Sequence, residues 1–338
     1  MSVFYEKLCL AAGDGRVRRD EPMAMHTTFR VGGPAAFFAE PEGEDALARV
    51  IRLCREEDIP FYILGNGSNL LISDQGYRGV MIRIGDGFSD LARLEEGVSA
   101  PDCDVPVSIR AGAGLLLSRI ASWAAKEGLA GLEFAAGIPG TLGGAVVMNA
   151  GAYGGEMKDV IRSVRTLGRD GRIQELSVKE LRMGYRFSSV QERGDIVLGA
   201  VLGLRPGDRG DIQARMEDLA GRRREKQPLE YPSAGSAFKR PAGYFAGKLI
   251  EDAGLRGYRD GNAQVSEKHC GFVINRGGAT AEEIRRLCGH VQKRVAECAG
   301  VHLETEIRMI GFEEGTCDAA CNCDRDVRGG KDNGLKDA

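Results

Sequence analysis

The feature that most constrains this chain is a glycine-rich stretch between Ala135 and Glu156. Its centre reads Gly137-Ile138-Pro139-Gly140-Thr141-Leu142-Gly143-Gly144-Ala145 and is followed by Asn149-Ala150-Gly151. Glycine adopts positive φ at low cost and lets a ligand approach the backbone closely. Successive exposed N–H groups in such a turn form a concave anion site, and a helix beginning near Gly143 would add its own free N–H groups. The stretch therefore predicts a phosphate-binding loop.

A second loop of the same character, Gly65-Asn66-Gly67-Ser68-Asn69, follows a predicted strand at residues 61–64. Two such loops in one chain suit a dinucleotide, because it carries two phosphates. Neither loop has the G-x-G-x-x-G pattern of Rossmann folds or the Gly-Lys-Ser/Thr ending of the P-loop. Tight turns without a ligand are the alternative interpretation. We expect a dinucleotide bound by neither of the two standard folds.

The 338 residues are enough for two or three domains, and helix and strand patterns alternate throughout. Apolar residues at helical spacing predict helices at 46–54 and 281–298, and a terminal strand is predicted at 306–311 to close the last unit. The fold class is therefore α+β. We predict a leader helix at 1–20, a first cofactor subdomain at 21–97, a second at 98–208, a substrate domain at 209–313 and a tail at 314–338.

Charge and hydropathy limit the partners. Lys and Arg number 46 against 49 Asp and Glu, for a net charge of −3, which gives no general attraction to nucleic acid or to anionic membranes. No export signal is recognisable, and no run approaches the roughly 18 apolar residues of a membrane span. We expect a cytoplasmic protein, monomeric or weakly oligomeric, with small-molecule partners only.

The nine cysteines do not form a disulfide framework. Cys54, Cys288 and Cys298 fall on apolar positions of predicted helices and are expected to be reduced thiols in a cytoplasmic protein. The other notable group is Cys317, Cys321 and Cys323, which lies in a polar tail without a fourth ligand nearby. We predict that this tail is disordered and that the chain has no metal site; metal binding by the three cysteines is the alternative.

Further motifs extend the pattern on both sides of the glycine loops. The first is His26-Thr27-Thr28-Phe29-Arg30-Val31-Gly32-Gly33-Pro34. The later ones are Gly184-Tyr185-Arg186, Lys226-Gln227-Pro228, Ser233-Ala234-Gly235-Ser236-Ala237-Phe238-Lys239, Ala263-Gln264-Val265-Ser266, His269, Phe272-Val273-Ile274-Asn275 and Leu303-Glu304-Thr305-Glu306-Ile307-Arg308. In this order, over residues 21–312, the chain resembles the UDP-N-acetylenolpyruvoylglucosamine reductases. Their FAD-binding domain is of the vanillyl-alcohol-oxidase (PCMH) type.

The resemblance implies a two-part FAD-binding domain of that type, followed by an α+β substrate-binding domain. It implies non-covalently bound FAD and NADPH as the co-substrate that reduces it. The implied FAD contacts are Gly65, Asn66, Gly67, Ser68, Asn69, Gly137, Ile138, Pro139, Gly140, Thr141, Gly143, Gly144, Ala145 and Asn149. The implied contacts with UDP-N-acetylglucosamine enolpyruvate are Tyr185, Lys226, Lys239, Arg240, His269, Asn275 and Arg308.

Reduction of an enolpyruvyl ether requires hydride addition at the terminal methylene carbon. Negative charge then develops on the neighbouring carbon and the carboxylate, where fixed positive groups and hydrogen-bond donors lower the barrier. A positioned acid completes the addition. By resemblance, Ser236 is this proton donor, and Arg186 and Glu306 stabilise the intermediate.

Two departures from the family pattern concern the substrate. Arg240 stands where many relatives have Asn, so any substrate contact of that Asn is altered here. The chain also passes quickly from Arg186 to the predicted strand at 196–204, whereas members with a tyrosine-bearing capping loop insert residues there. The sequence therefore resembles the shorter subtype, which must close over its substrate by other means.

Two other functions remain open from sequence. A flavin oxidase of the same superfamily would share the glycine loops and would produce peroxide. A non-catalytic flavin-binding protein would hold FAD without converting the enolpyruvyl sugar.

Overall fold

The computed structural model describes residues 2–94 and 107–312, and its first unit is a four-stranded sheet. The strand order is β1-β2-β5-β3, with β1 antiparallel to β2 and the other pairs parallel. Successive residues of β2 face opposite sides: Phe37 packs beneath α1 and α2, whereas Phe38 joins a smaller core on the other face. The elements are α1 (Ser2–Ala12), β1 (Val17–Pro22), β2 (Pro34–Ala39), α2 (Glu44–Glu56), β3 (Phe61–Leu64), β4 (Leu70–Ile72) and β5 (Tyr77–Arg83).

The second unit is an antiparallel sheet of order β12-β11-β13-β7-β6, with β8 paired to the end of β13. It shares one continuous core with the helix-covered face of the first unit, so the two units pack as one body. Its elements are β6 (Leu91–Arg93), β7 (Val107–Gly112), α3 (Leu117–Lys126), β8 (Leu129–Ala130), α4 (Leu142–Met148), β9 (Gly151–Ala152), β10 (Gly155–Glu156), α5 (Met157–Val160), β11 (Ile161–Leu167), β12 (Ile173–Ser177), α6 (Val178–Leu181), α7 (Ser189–Arg193) and β13 (Ile196–Pro206).

The third unit has its own core beneath α10 and a four-stranded sheet of order β14-β17-β16-β15. Helix α10 begins with a capping box between Thr280 and Glu283 and ends at Gly300, whose φ of 66° suits glycine. Asp74, from the first unit, also accepts hydrogen bonds from the first two amides of α10. The elements are α8 (Arg209–Lys226), β14 (Ser233–Ser236), α9 (Ala246–Asp252), β15 (Arg259–Asp260), β16 (Ala263–Val265), β17 (Phe272–Asn275), α10 (Ala281–Ala299) and β18 (Arg308–Ile310).

The terminal strand lies elsewhere than predicted. It is shorter, Arg308–Ile310, and it does not close the third unit: β18 pairs in parallel with β4 of the first unit. The physical reason is that Ile310 is buried in the smaller core, together with Ile72 and Phe38. The last described strand therefore ties the substrate domain to the strand that follows the first glycine loop.

Some of the other predictions agree with the structure and others do not. The helix at 46–54 is confirmed, and its predicted apolar face is buried. The leader helix ends at Ala12, and strand β1 crosses the predicted boundary at residue 20 because it pairs with β2. Cys54 and Cys288 are buried as expected, but Cys298 is exposed. The boundary at 97 and the tail cysteines lie outside the described residues.

Candidate active site

A cavity of about 1060 Å³ lies between the two glycine loops and the substrate domain. Residues 65–69 line one wall, and Gly137–Thr141 with Gly143–Ala145 line another. Its volume lies just above the usual range of roughly 300–1,000 Å³ for small-molecule sites. The structure thus brings both predicted cofactor loops to one cavity, with Asn149 the only predicted FAD contact outside its lining.

The two loops are pressed against each other. Asn66 Nδ2 donates to the carbonyl of Pro139 at 2.7 Å. A Cβ on Gly65 would lie 2.2 Å from Thr141 Oγ1, so the absence of a side chain is required for the loops to meet. Gly67 has a φ of 61°, and a Cβ there would lie 1.9 Å from the carbonyl oxygen of His26. These glycines are needed by the packing of the protein itself.

Other glycines leave space for a ligand. The nearest atom to a Cβ on Gly140 would be Ser68 Oγ at 3.7 Å, and for Gly144 it would be Thr141 Oγ1 at 3.8 Å. On the same cavity, Thr28 Oγ1 is buried and has no hydrogen-bond partner in the protein. The backbone is therefore accessible to a ligand at two glycines, and the Thr28 hydroxyl lacks a partner within the protein. Both features fit the binding of a dinucleotide such as FAD.

The Arg186 side chain is held in a tight turn against Glu306. Arg186 has a φ of 54°, and its turn is closed by hydrogen bonds between Gly184 and Phe187. Asn149 supports the turn, because its Nδ2 donates to the carbonyl of Gly184 at 3.0 Å. From this turn, Arg186 Nε donates to Glu306 Oε1 at 2.5 Å, with both side chains largely buried.

The Glu306 carboxyl is electrostatically unusual. Burial raises its pKa above the ordinary value, and the positive charges of Arg186 and Lys239 oppose that shift only in part. Its backbone is fixed on both sides: its amide donates to the carbonyl of Ala237 at 2.9 Å, and its carbonyl accepts from Asn69 Nδ2 at 3.0 Å.

Ser236 lies beside this pair at the end of β14. The strand is irregular between Ser233 and Ser236, where Gly235 has a φ of 77°. The Ser236 hydroxyl makes no hydrogen bond with any residue the structure describes. Ser236 lines the large cavity and also a second cavity of about 350 Å³ on the other side. Arg186 and Glu306 line both as well.

The second cavity is rich in cations. Three of the predicted substrate contacts line it: Tyr185, Arg240 and His269. Burial lowers the pKa of His269. The remaining charged side chains on its wall are Lys248, Glu251, Arg256 and Lys268. Arg240 stacks on the exposed ring of Phe245 at 3.9 Å, and its amide donates to the hydroxyl of Tyr185 at 3.1 Å.

The other predicted substrate contacts are placed differently. Arg308 lines the large cavity, where its Nη2 donates to Gln191 Oε1 at 2.5 Å. Lys239 is paired with Glu304 and lines neither cavity. Lys226 is exposed at the end of α8, also outside both linings.

Two predicted asparagine contacts serve the protein interior instead. Asn275 is 3% exposed; it donates to the carbonyl of Phe29 and accepts from the amides of Gly277 and Ala279. Asn149 is 1% exposed and bonds Glu156 and the amide of Lys158 in addition to the Gly184 carbonyl. Their side chains satisfy backbone groups, so neither is directed at a ligand.

Some cavity residues were not singled out from sequence. Gln191 and Tyr231 line the large cavity, and neither belongs to a motif. Arg223 and Arg224 also line it, and the run Arg222-Arg223-Arg224 was the only signal for them. Among the described residues there is no cluster of His, Cys, Asp and Glu able to hold a metal ion. In the same part of the chain, helices are too short or too polar to cross a bilayer.

Comparison with known proteins gives a consistent assignment. Residues 35–177 match the family model of an FAD-binding domain. Residues 227–310 match that of the C-terminal domain of UDP-N-acetylenolpyruvoylglucosamine reductase. The reductase of Agathobacter rectalis is 52% identical over 87% of this chain and 93% of its own length. That of Lachnoclostridium phytofermentans is 49% identical over 92% and 98%.

Among solved structures, the UDP-N-acetylenolpyruvylglucosamine reductase of Thermus caldophilus is similar, with a TM-score of 0.72 and 36% sequence identity. The match covers 87% of this chain and 99% of that one. The predicted fold class and the dependence on FAD are confirmed. The chain belongs to the UDP-N-acetylenolpyruvoylglucosamine reductases, a family of FAD-dependent oxidoreductases.

Proposed function

We propose that this protein uses NADPH to reduce UDP-N-acetylglucosamine enolpyruvate to UDP-N-acetylmuramate, a cell-wall precursor. The observation that carries the proposal is the position of Ser236, Arg186 and Glu306 at the junction of two cavities. One cavity fits a dinucleotide and the other is cationic. A group reacting at the junction is therefore reached by a cofactor from one side and by an anionic substrate from the other.

The residues that would hold FAD are those of the two glycine loops, with Gly140 and Gly144 leaving room for it and Thr28 offering a hydroxyl. FAD bound there supplies the hydride that adds to the terminal methylene carbon of the substrate. Because Asn66 and Pro139 join the loops, a single ligand can contact both. The large cavity is shared in turn by NADPH and the enolpyruvyl group in this proposal.

Arg186 and Glu306 are suited to stabilise the charge that follows hydride addition. Glu306 accepts a hydrogen bond from Arg186 Nε, which leaves the terminal Nη groups to donate to the substrate carboxylate in a paired geometry. Because burial raises the pKa of Glu306, this carboxyl is more easily protonated than an exposed one, and in that form it donates a hydrogen bond to an enolate oxygen. Both groups are fixed before the substrate arrives, so they need little rearrangement during the reaction.

Ser236 is suited to deliver the proton. Its hydroxyl is uncommitted among the described residues and borders both cavities. In the proposed step the O–H bond breaks as a C–H bond forms at the carbon next to the carboxylate, and the serine oxygen regains a proton from solvent. The positive charge of Arg186 at the same junction favours the transient negative charge on oxygen.

The second cavity would take the nucleotide part of the substrate. Five cationic side chains, Arg186, Arg240, Lys248, Arg256 and Lys268, border it together with the carboxylates of Glu251 and Glu306. Such an excess of donors suits a diphosphate, which offers only acceptors. The exposed ring of Tyr185 is available to pack against a base or sugar. Arg240 thus supplies a charge where many relatives have an amide.

Visible absorbance of the purified protein followed by two titrations tests the function. We expect a flavin spectrum that NADPH bleaches and that the enolpyruvyl sugar restores without oxygen. UDP-N-acetylglucosamine, which lacks the enolpyruvyl group, is the matched control and should leave the flavin reduced. Peroxide formation without sugar reduction would show an oxidase, and a spectrum unchanged by NADPH would show a non-catalytic flavin protein.

A further inference from the structure

Gln191 connects two arginines of the large cavity, although it belongs to none of the motifs. It lies on α7 and lines the cavity together with Arg186 and Arg308. Its Oε1 accepts a hydrogen bond from Arg308 Nη2 at 2.5 Å. Its Nε2 donates to the carbonyl of Val147 at 2.6 Å and to that of Arg186 at 3.3 Å. One amide side chain therefore joins the Arg308 guanidinium to the turn that carries Arg186.

The guanidinium of Arg308 has no carboxylate partner among the described residues. Its Nη2 contacts Gln191 Oε1 and, at 3.7 Å, Met148 Sδ, and both acceptors are uncharged. Its Nε and Nη1 make no hydrogen bond within the part of the chain that the structure describes. Arg186 is different, since Glu306 accepts a hydrogen bond from its Nε. Arg308 therefore brings an uncompensated positive charge to the cavity, and neutral groups orient it.

The chemistry of this position suits an amide. A carboxylate would accept from Arg308, but it would also compensate the charge of Arg308, and it has no hydrogen to donate to the two carbonyl groups. An apolar side chain would leave the guanidinium and both carbonyls without this partner. An amide accepts from Arg308 and donates to the two carbonyls while the positive charge of Arg308 stays available to a ligand.

We propose that Gln191 is a positioning residue, which holds the charge of Arg308 toward the enolpyruvyl carboxylate and supports the turn of Arg186. This inference rests on the proposed function, in which that carboxylate enters the large cavity and its negative charge increases after hydride addition. Two fixed cations then share the charge: Arg186, which is paired with Glu306, and Arg308, which is not. Such donors stabilise developing charge best when they are in place before the reaction.

The affinity of the oxidised holoenzyme for two sugar nucleotides tests the proposal. UDP-N-acetylglucosamine enolpyruvate carries the carboxylate and UDP-N-acetylglucosamine does not, and without NADPH the enolpyruvyl sugar is not reduced. We expect Gln191→Leu to weaken binding of the enolpyruvyl sugar by about 10- to 100-fold, the usual effect of losing a charge-assisted hydrogen bond. Its affinity for UDP-N-acetylglucosamine should equal that of the wild type. Isothermal titration calorimetry measures both, and equal weakening of the two would assign Arg308 to the nucleotide part and overturn the proposal.

Ser188→Ala is the matched control. The Ser188 hydroxyl donates to the same Val147 carbonyl as Gln191 does, at 2.9 Å, but it makes no hydrogen bond with Arg308. Ser188→Ala should therefore bind the enolpyruvyl sugar nearly as tightly as the wild type. If it weakens binding as much as Gln191→Leu does, Gln191 only supports the backbone, and the proposal fails.

Gln191→Glu tests whether the charge of Arg308 must stay uncompensated. Its carboxylate would pair with Arg308, so binding of the enolpyruvyl sugar should weaken at least as much as in Gln191→Leu. Wild-type affinity in Gln191→Glu would contradict the proposal.

A double-mutant cycle separates an effect through Arg308 from a general disturbance of the site, because residues that act through one contact are not additive. Gln191→Leu alone should slow reoxidation of the flavin by the enolpyruvyl sugar about 10- to 100-fold. In an Arg308→Met background the same change should alter the rate by less than about twofold. Equal effects in the two backgrounds would overturn the proposal.

Two further outcomes distinguish the ligands. Slower bleaching by NADPH or faster loss of FAD in Gln191→Leu, with unchanged affinity for the enolpyruvyl sugar, would assign Arg308 to the cofactor and overturn the proposal. A wild-type protein that binds the enolpyruvyl sugar without reducing it would instead refute the proposed function, and the comparison of the two sugar nucleotides would still decide whether Gln191 positions Arg308 for the carboxylate.

Discussion

Asn69 joins the first glycine loop to Glu306: its Nδ2 donates to the Glu306 carbonyl at 3.0 Å. The carbonyl of Asn69 accepts from the amide of Arg308 at the same distance. The last residue of the cofactor loop therefore fixes the segment that carries the carboxyl paired with Arg186. Displacement of either element is transmitted to the other through two hydrogen bonds.

We expect Asn69→Ala to slow the reoxidation of reduced flavin by the enolpyruvyl sugar about tenfold, because small displacements of reacting groups are costly. Stopped-flow absorbance measures this step. Asn66→Ala is the matched control, since Asn66 bonds the Pro139 carbonyl on the cofactor side. It should lower FAD occupancy while leaving reoxidation of the loaded fraction unchanged. Equal rates for Asn69→Ala and wild type would contradict this prediction.

The proposed acid is tested by separating the two half-reactions. Flavin reduction by NADPH involves no proton from Ser236, so Ser236→Ala should bleach at close to the normal rate. Reoxidation by the enolpyruvyl sugar should fall by roughly 10²–10⁴-fold, the usual effect of losing a positioned acid. Ser233→Ala, three residues earlier in the same strand, serves as the control and should have only a small effect on either rate. Equal slowing of both halves would assign Ser236 to binding rather than to proton transfer.

Gly140 offers a test of the cofactor site that leaves the protein's own packing intact. A valine there meets no protein atom closer than 3.7 Å at Cβ, so the fold should tolerate it, whereas a bound ligand would be crowded. We expect Gly140→Val to purify folded but largely without flavin, as shown by the ratio of flavin absorbance to protein absorbance. Gly65→Val should instead destabilise the protein, because its Cβ meets Thr141. Full flavin content in Gly140→Val would exclude close cofactor approach at this loop.

The raised pKa of Glu306 predicts a pH-dependent stability difference. A carboxyl whose pKa is higher in the folded than in the unfolded state adds stability below the unfolded value and loses it as pH rises through the folded value. Glu306→Gln cannot ionise. Its melting temperature should therefore rise relative to wild type as pH increases from about 4 to about 8. A difference in melting temperature between Glu306→Gln and the wild type that does not change with pH would refute the raised pKa of Glu306.

The motifs predicted the two loops and the family, because glycine spacing is dictated by local backbone conformation. They did not reveal which polar side chains face the ligand. Asn149 and Asn275 lie within motifs, yet each satisfies buried backbone groups. The difference depends on which backbone groups the tertiary fold leaves without partners, and sequence spacing does not contain that information.

The prediction of which helix face lines the cavity, and of which strands pair, was limited for the same reason. Lys226 and Arg223 both belong to a basic helix end, but only the packing of α8 decides that Arg223 lines the cavity. The pattern at 306–311 predicted a strand without naming its neighbour. Its partner, β4, lies more than 200 residues earlier, and no local pattern encodes such a pairing.

The pairing of β18 with β4 also bears on biosynthesis. Leu70–Ile72 leaves the ribosome long before Arg308–Ile310, so the strand that follows the first glycine loop cannot pair with β18 until more than 200 further residues have been made. Nascent domains usually fold from the N-terminal side as they emerge. Here the cofactor loop can reach its final position only after the residues of β18 have been made. Flavin is therefore expected to join a chain that already contains β18, and ribosome-bound chains halted before residue 308 should not retain it.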